Sequence, residues 1–160
     1  MFGGTHTIFL IVCALLVIDD EAVIRQTIVW AAKWAGVKET LVASSGQAGI
    51  DLYKYRRLEI DAVLLDYNME PMMGDEVFRI LHKIDPELPI IMLSGHGRSV
   101  EKQLLLEGLK TYIPKPVDQV ALRAALQKFA PNVLTTSGGM AAVKGNTPSV
   151  PPPKTPPKAL

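Results

Sequence analysis

The chain is short of cysteine and histidine: it has one cysteine, Cys13, and three histidines. A single cysteine excludes an internal disulfide, and no Cys/His spacing matches a zinc site. The expected setting is therefore a reducing compartment, the cytoplasm. Net charge is equally scarce, at +1. No global field recruits nucleic acid or an anionic membrane, so charge must act locally. Long hydrophobic runs are also lacking. The stretch from Ile8 to Ile18 is unbroken but shorter than the about 20 residues of a membrane-spanning helix. The residues before it, MFGGTHT, carry no Lys or Arg, which the start of a secretory signal would have. Leu10-Ile11-Val12-Cys13 has the outline of a lipoprotein cleavage box. Val12 stands where a small residue is expected, and cleavage there would remove part of a strand. The reading is an irregular leader, residues 1–10, then a buried strand, with no membrane insertion. No internal repeat is visible.

What is present is alternation. Val12–Ile18 is short, apolar and closed by two Asp, the pattern of a buried strand. From Glu21 to Ala35, Ile24, Ile28, Ala31, Ala32 and Ala35 recur at three- and four-residue spacing and Gly36 follows, which predicts a helix. Strand signals return at Thr40–Ala43, Ala62–Leu65, Ile90–Leu93 and Thr111–Ile113. Helix signals return at Ser45–Tyr55 with Ser44 or Ser45 as cap, Asp75–Ile84, Ser99–Glu107 and Val117–Phe129. Five apolar strands alternating with five helices imply an α/β fold, a parallel sheet covered on both faces. After Pro131 the composition shifts to Ser, Gly, Thr and Lys with a proline cluster. Residues 131–160 are expected to be a disordered tail with polyproline character, and residues 11–130 the folded domain.

In a parallel α/β sheet, ligands bind beyond the carboxyl ends of the strands. Here those ends carry Asp19-Asp20, Asp66, Ser94 and Lys115. Carboxylates at ~4 Å repel by about 4 kcal/mol per pair at an effective dielectric near 20. A hard divalent cation with oxygen ligands, Mg²⁺, offsets that repulsion, and Lys115 supplies a second positive charge. Ser94 offers a hydroxyl to a phosphate oxygen. The set suits phosphoryl transfer to a carboxylate.

The runs Val17-Ile18-Asp19-Asp20-Glu21 and Leu64-Leu65-Asp66-Tyr67-Asn68-Met69, the pair Lys115-Pro116 after Tyr112, Ser94, and Gly74 eight residues past Asp66 resemble the response regulator receiver family. The resemblance covers residues 11 to about 130 and implies the flavodoxin-like strand order 2-1-3-4-5. It implies Asp66 as phosphoacceptor, and Asp19, Asp20, Asp66 and the Asn68 carbonyl around Mg²⁺. It implies that Lys115 contacts the acyl phosphate, that Ser94 and Tyr112 move as a switch on an α4–β5–α5 face, and that a cis bond precedes Pro116. The implied partners are a sensor histidine kinase or histidine phosphotransfer protein and a downstream protein target; self-association through the fifth helix is left open. Departures are Glu70 where the family has Pro, with Pro71 next, and Gly95 where Ala is common, which could loosen the coupling of Ser94.

Blander readings stand beside these. His96 reads as an exposed loop residue and His82 as a surface one. Trp30 and Trp34 most simply pack against the domain or its flank, with a partner patch as the alternative. Met69, Met72 and Met73 read as loop packing. Pro153-Lys154-Thr155-Pro156 has polyproline-ligand spacing, though a linker accounts for it as well. No helix-turn-helix follows, so direct nucleic-acid output is not expected. Two rival functions remain: a degenerate receiver acting as an unphosphorylated interaction module, which Glu70 keeps open, and an aspartyl-phosphate phosphatase. The second needs an Asp two residues after its nucleophile, where this chain has Asn68. The expectation is a phosphoacceptor, not an enzyme with a separate substrate.

Overall fold

A computed structural model describes residues 13–95 and 98–135. The leader, His96 and the chain beyond residue 135 lie outside the described residues, and with them the readings made for those segments. Eleven elements follow in order: β1 (Ala14–Ile18), α1 (Ala22–Trp34), β2 (Glu39–Ala43), α2 (Gly46–Tyr55), β3 (Ile60–Asp66), α3 (Gly74–Ile84), β4 (Ile90–Ser94), α4 (Arg98–Leu106), β5 (Thr111–Pro114), α5 (Gln119–Phe129) and a 3-10 turn (Pro131–Val133). The strands form one sheet in the order β2-β1-β3-β4-β5, every pairing parallel. This is the flavodoxin-like order implied by the resemblance.

Alternate strand residues face opposite sides, and each side has its own core. Leu16, Ile18, Val63 and Leu65 meet Ile50 and Tyr53 of α2, Val77, Phe78 and Leu81 of α3, and Leu104 of α4. Leu15, Val17, Ala62 and Leu64 meet Ile28 and Ala32 of α1 and Leu122 and Leu126 of α5. Because both faces are covered, β1, β3 and β4 are apolar nearly throughout. Helix ends follow local chemistry. The Ser45 hydroxyl accepts from the Ala48 N–H at 3.2 Å and opens α2. Gly36, at φ 91°, leaves α1 in a conformation that side-chain-bearing residues avoid.

Four expectations are corrected. The fifth helix begins at Gln119, not Val117, because the Asp118 side chain accepts from the Ala121 N–H at 2.8 Å and fixes the cap there. β3 starts two residues earlier than its apolar run, since Ile60 pairs with Ala14. The composition break at Pro131 is not where packing ends: Val133 and Leu134 are buried in the α1/α5 core. Leu134 bridges Val37, and the Thr135 N–H donates to the Gly36 carbonyl at 2.7 Å. Finally, Trp30 and Trp34 do not pack inward; they are 68% and 59% exposed. Their positions lie opposite Ile28, Ala31 and Ala32, which the sheet claims.

His82 stacks on Phe78 with ring centroids 5.4 Å apart and is half-buried, not simply a surface residue. Met69 is buried and Met72 packs on the same core, as expected of loop packing, while Met73 is exposed. Arg79 of α3 joins Asp75 at 2.8 Å and reaches across to Glu107, just after α4, at 2.9 Å.

Candidate functional site

Four of the five strands bring a polar residue, at or just past their carboxyl ends, to the same edge. Asp19 and Asp20 follow β1, Asp66 ends β3, Ser94 ends β4 and Lys115 follows β5. Asp19 is fully buried, Asp66 is 1% exposed and Ser94 5% exposed. Among the described residues they are the buried polar or charged side chains, and all three sit at this edge. Such burial is costly unless the groups are paired.

Lys115 does much of the pairing. Its ammonium lies 2.9 Å from Asp19 Oδ2 and 2.9 Å from Asp66 Oδ1. The Lys115 N–H also donates to the Ser94 carbonyl at 2.9 Å, so lysine and serine share one backbone register. The remaining oxygen of Asp19 accepts from the Glu21 N–H at 2.8 Å. Arg25 donates to the Asp19 carbonyl at 2.7 Å. The Asn68 N–H approaches Asp66 Oδ1 at 3.3 Å. Burial pushes the Asp66 carboxyl above its ordinary range, and the nearby Asp19 charge adds to this; Lys115 opposes both without cancelling them. Burial works to lower the Lys115 ammonium, but its bonds to the two carboxylates outweigh it and the net shift is upward.

One atom is left over: Asp66 Oδ2 is buried without a hydrogen-bond partner. A carboxylate oxygen left unsatisfied at a strand end is costly unless a ligand takes it up. Asp19, Asp20 and Asp66 each offer an oxygen, all within 4.8 Å of one another. Three carboxylates facing one lysine leave negative charge uncompensated. All donors are hard oxygens, and Asp20 is exposed, which keeps one side open to water. These features fit Mg²⁺, which prefers one or two carboxylates with retained waters. Glu70 does not join the cluster: its side chain is exposed, while its N–H reaches Asp20 Oδ2 at 3.3 Å. The Glu70–Pro71 and Lys115–Pro116 bonds are both cis, the second as the resemblance implied. At Gly95 a Cβ would touch nothing within 4 Å.

Tyr112 is half-buried on β5 and lines a mostly apolar cavity with Met92, Ser94, Val100 and Leu104. The cavity joins the strand-end site to the underside of α4. Tyr67 and Glu101 also line it, and neither stands out in the sequence. For Tyr67 a signal existed: in β geometry the residue after Asp66 turns to the other face, toward α4.

The model of the response regulator receiver domain matches residues 15–127. The chain belongs to the response regulator receiver family. The receiver is 30% identical over 117 residues to a chemotaxis protein CheY of Thermotoga maritima, covering 72% of this chain and 96% of that one. It is 36% identical over 106 residues to a protein-glutamate methylesterase/protein-glutamine glutaminase of Paramagnetospirillum magneticum, covering 64% of this chain but 27% of that protein. Among solved structures, a response regulator receiver domain protein from Clostridium thermocellum superposes with a TM-score of 0.69 at 33% identity, covering 73% of this chain and 93% of that one. The receiver is thus of the two-component and chemotaxis type. Among its described residues no helix is long and apolar enough to cross a membrane.

Proposed function

We propose that the receiver is a phosphoacceptor in a two-component or phosphorelay pathway, with Asp66 as the acceptor. The observation that carries this is the state of Asp66: one oxygen is held by Lys115 and the other is buried without a partner, at the end of the sheet's central strand. The free oxygen attacks the phosphorus of a phosphohistidine on a sensor kinase or histidine phosphotransfer protein. An O–P bond forms, the P–N bond breaks, and the imidazole leaves with its electron pair and takes a proton from water. Asp19, Asp20, Asp66 and the Asn68 carbonyl would hold Mg²⁺, which when bound neutralises charge on the phosphoryl oxygens. Lys115 stabilises the same charge from the other side. Once Asp66 carries the phosphoryl group as an acyl phosphate, Lys115 loses part of its pairing and turns to the phosphoryl group, and the Ser94 hydroxyl donates to it.

Ser94 and Tyr112 share one cavity with α4, so movement of Ser94 changes the space open to the tyrosine. This supports a switch that the α4–β5–α5 face presents to a downstream protein. A shift from 1:99 to 99:1 requires about 5.5 kcal/mol of differential stabilisation. Two or three charge-assisted bonds of about 1.5–3 kcal/mol supply that order. Asn68 stands where a phosphatase of the aspartyl-phosphate kind keeps its second acid, which supports an acceptor that stores the phosphoryl group instead of turning over a separate substrate. The reading assigns the protein to the reducing cytoplasm, which its single cysteine suits.

The test is intact-protein mass spectrometry after incubation with acetyl phosphate, with and without Mg²⁺, on wild type and Asp66→Ala. The expected result is a Mg²⁺-dependent gain of one phosphoryl group that disappears in the variant. No gain by folded wild type in excess Mg²⁺ overturns the reading in favour of an unphosphorylated interaction module.

A further inference from the structure

The outer face of α1 is unusual for a helix packed on a sheet. Val23, Thr27, Trp30 and Trp34 follow each other at three- and four-residue steps along it, with Gln26 beside them. Val23 is 78%, Trp30 68% and Trp34 59% exposed. Shallow grooves flank Trp30, one lined by Ala22, Val23, Gln26 and Thr27, the other by Gln26, Val29 and Lys33. Both tryptophans of the chain lie on this stripe. Exposing two indoles is costly, since each could bury well over 100 Å² of surface.

The described chain ends beside this stripe. The Thr135 N–H donates to the Gly36 carbonyl at 2.7 Å, and Gly36 lies two residues past Trp34. Residues 136–160 therefore start from the C-terminal end of α1. They include Pro148-Ser149-Val150-Pro151-Pro152-Pro153-Lys154-Thr155-Pro156-Pro157. Proline in this density favours the polyproline II helix, whose low ordering entropy and ridged surface suit grooves between aromatic rings. The segment carries no acidic residue and no aromatic of its own, so it brings a ligand's chemistry without a receptor's.

We infer that residues 148–157 dock on the Trp30/Trp34 face of α1 in the same molecule, as a polyproline ligand held by the chain's own tether. Lengths agree. The stripe from Val23 to Trp34 is about 16 Å long at 1.5 Å per residue. A polyproline II helix over 148–157 is about 31 Å long at 3.1 Å per residue. The connection, residues 136–147, has a root-mean-square span of about 19 Å for a Gly- and Ser-containing chain. A tether matched to its span gives an effective concentration on the order of 1 mM. A ligand with a dissociation constant on the order of 1 mM is then bound about half the time. The docked segment covers the indoles and competes with any partner that uses α1.

Because both tryptophans lie on the stripe, their fluorescence reports on it alone. Acrylamide quenching is measured on the full chain and on the full-length variant Pro151→Ala, Pro152→Ala, Pro153→Ala, Pro156→Ala, Pro157→Ala. Circular dichroism establishes that both share the fold. The expected result is a quenching constant about two-fold higher in the variant, with emission shifted to longer wavelength, unchanged over a hundred-fold range of protein concentration. A synthetic peptide of residues 147–158 added to the variant restores the protection saturably. Equal quenching of the two proteins overturns the inference. A difference that grows with protein concentration also overturns it, because the occupant is then a second copy. Failure of the peptide to protect removes the polyproline ligand itself.

Discussion

Replacing Gly74 by Ala tests the geometry that supports Asp66. Gly74 opens α3, and its N–H donates to the Tyr67 carbonyl at 2.8 Å. A Cβ at Gly74 would stand 2.3 Å from the Asp66 carbonyl oxygen, 2.7 Å from Tyr67 Cα and 3.0 Å from the Asp66 carbonyl carbon. All three are backbone atoms, so no rotamer change relieves the contact. Overpacking of this kind costs about 1–3 kcal/mol. Stretching the Gly74–Tyr67 hydrogen bond adds about 1 kcal/mol. Alanine's higher helix propensity returns up to about 1 kcal/mol. The net expectation is a loss of about 1–3 kcal/mol. Urea unfolding followed by circular dichroism should show the midpoint falling by about 1–2 M with an unchanged slope. Gly95→Ala is the control: a Cβ there meets nothing within 4 Å, so its stability should stay within about 0.5 kcal/mol of wild type. The surviving folded fraction of Gly74→Ala should accept phosphoryl groups more slowly, because the Asp66 backbone is the atom set that is pushed. If Gly74→Ala unfolds at the wild-type midpoint, the close approach of α3 to β3 does not constrain the acceptor and the reasoning fails.

Three more outcomes are expected. Tyr53 is buried and its hydroxyl donates to Asp85 at 2.8 Å; burial, then Asp85, push its pKa up to about 12. Burial works to raise the Asp85 carboxyl, but Tyr53, the Glu87 N–H and Arg57 outweigh it and hold the carboxyl below its ordinary range. A depressed carboxyl stabilises the fold above its unfolded pKa and loses that contribution as pH falls through the folded value. Tyr53→Phe should therefore cost about 1 kcal/mol at pH 7, discounted for the partial exposure of Asp85, and the gap to wild type in urea unfolding should shrink as pH falls below the ordinary aspartate range. Mg²⁺ at about 100 times its dissociation constant should stabilise the wild type by about 2.7 kcal/mol; differential scanning fluorimetry should show this shift shrinking in Asp20→Asn and vanishing when a chelator is added. Leu134→Ala, at a buried position beyond the composition break, should cost about 2 kcal/mol; an unfolding midpoint equal to wild type would show that the segment merely rests on the domain.

The sheet was legible because its strands are buried on both faces, and burial on both faces leaves little choice but apolar runs such as Leu15–Ile18 and Val63–Leu65. The site was legible for a related reason. Asp19, Asp66 and Ser94 interrupt those runs at their ends, and a polar side chain buried at a strand end is costly unless a site there uses it. Strand order came from the resemblance, since alternation alone leaves several sheets open. What stayed hidden depended on long-range partners. Val37, distant in the chain, decides that Val133 and Leu134 belong to the fold, and no local pattern encodes that. Trp30 and Trp34 look like core residues by type, and only the phase of α1 against Ile28 and Ala32 turns them outward. No local pattern pairs Tyr53 with Asp85, which the fold brings to its hydroxyl from 32 residues away.

Arg79 ties the far end of α4 to α3 through Glu107, while the near end of α4 follows closely on Ser94 and Gly95. Among the helix's described side chains Leu104 is the buried one, and it lies near the tied end. Under the proposed switch the helix would act as a lever pivoting near the Arg79–Glu107 pair. Over its nine residues, about 13 Å at 1.5 Å per residue, a shift of about 1 Å at the Ser94 end becomes a rotation of about 4°. A neighbour resting on exposed Leu106, next to the fulcrum, would feel a change of tilt far more than a change of position.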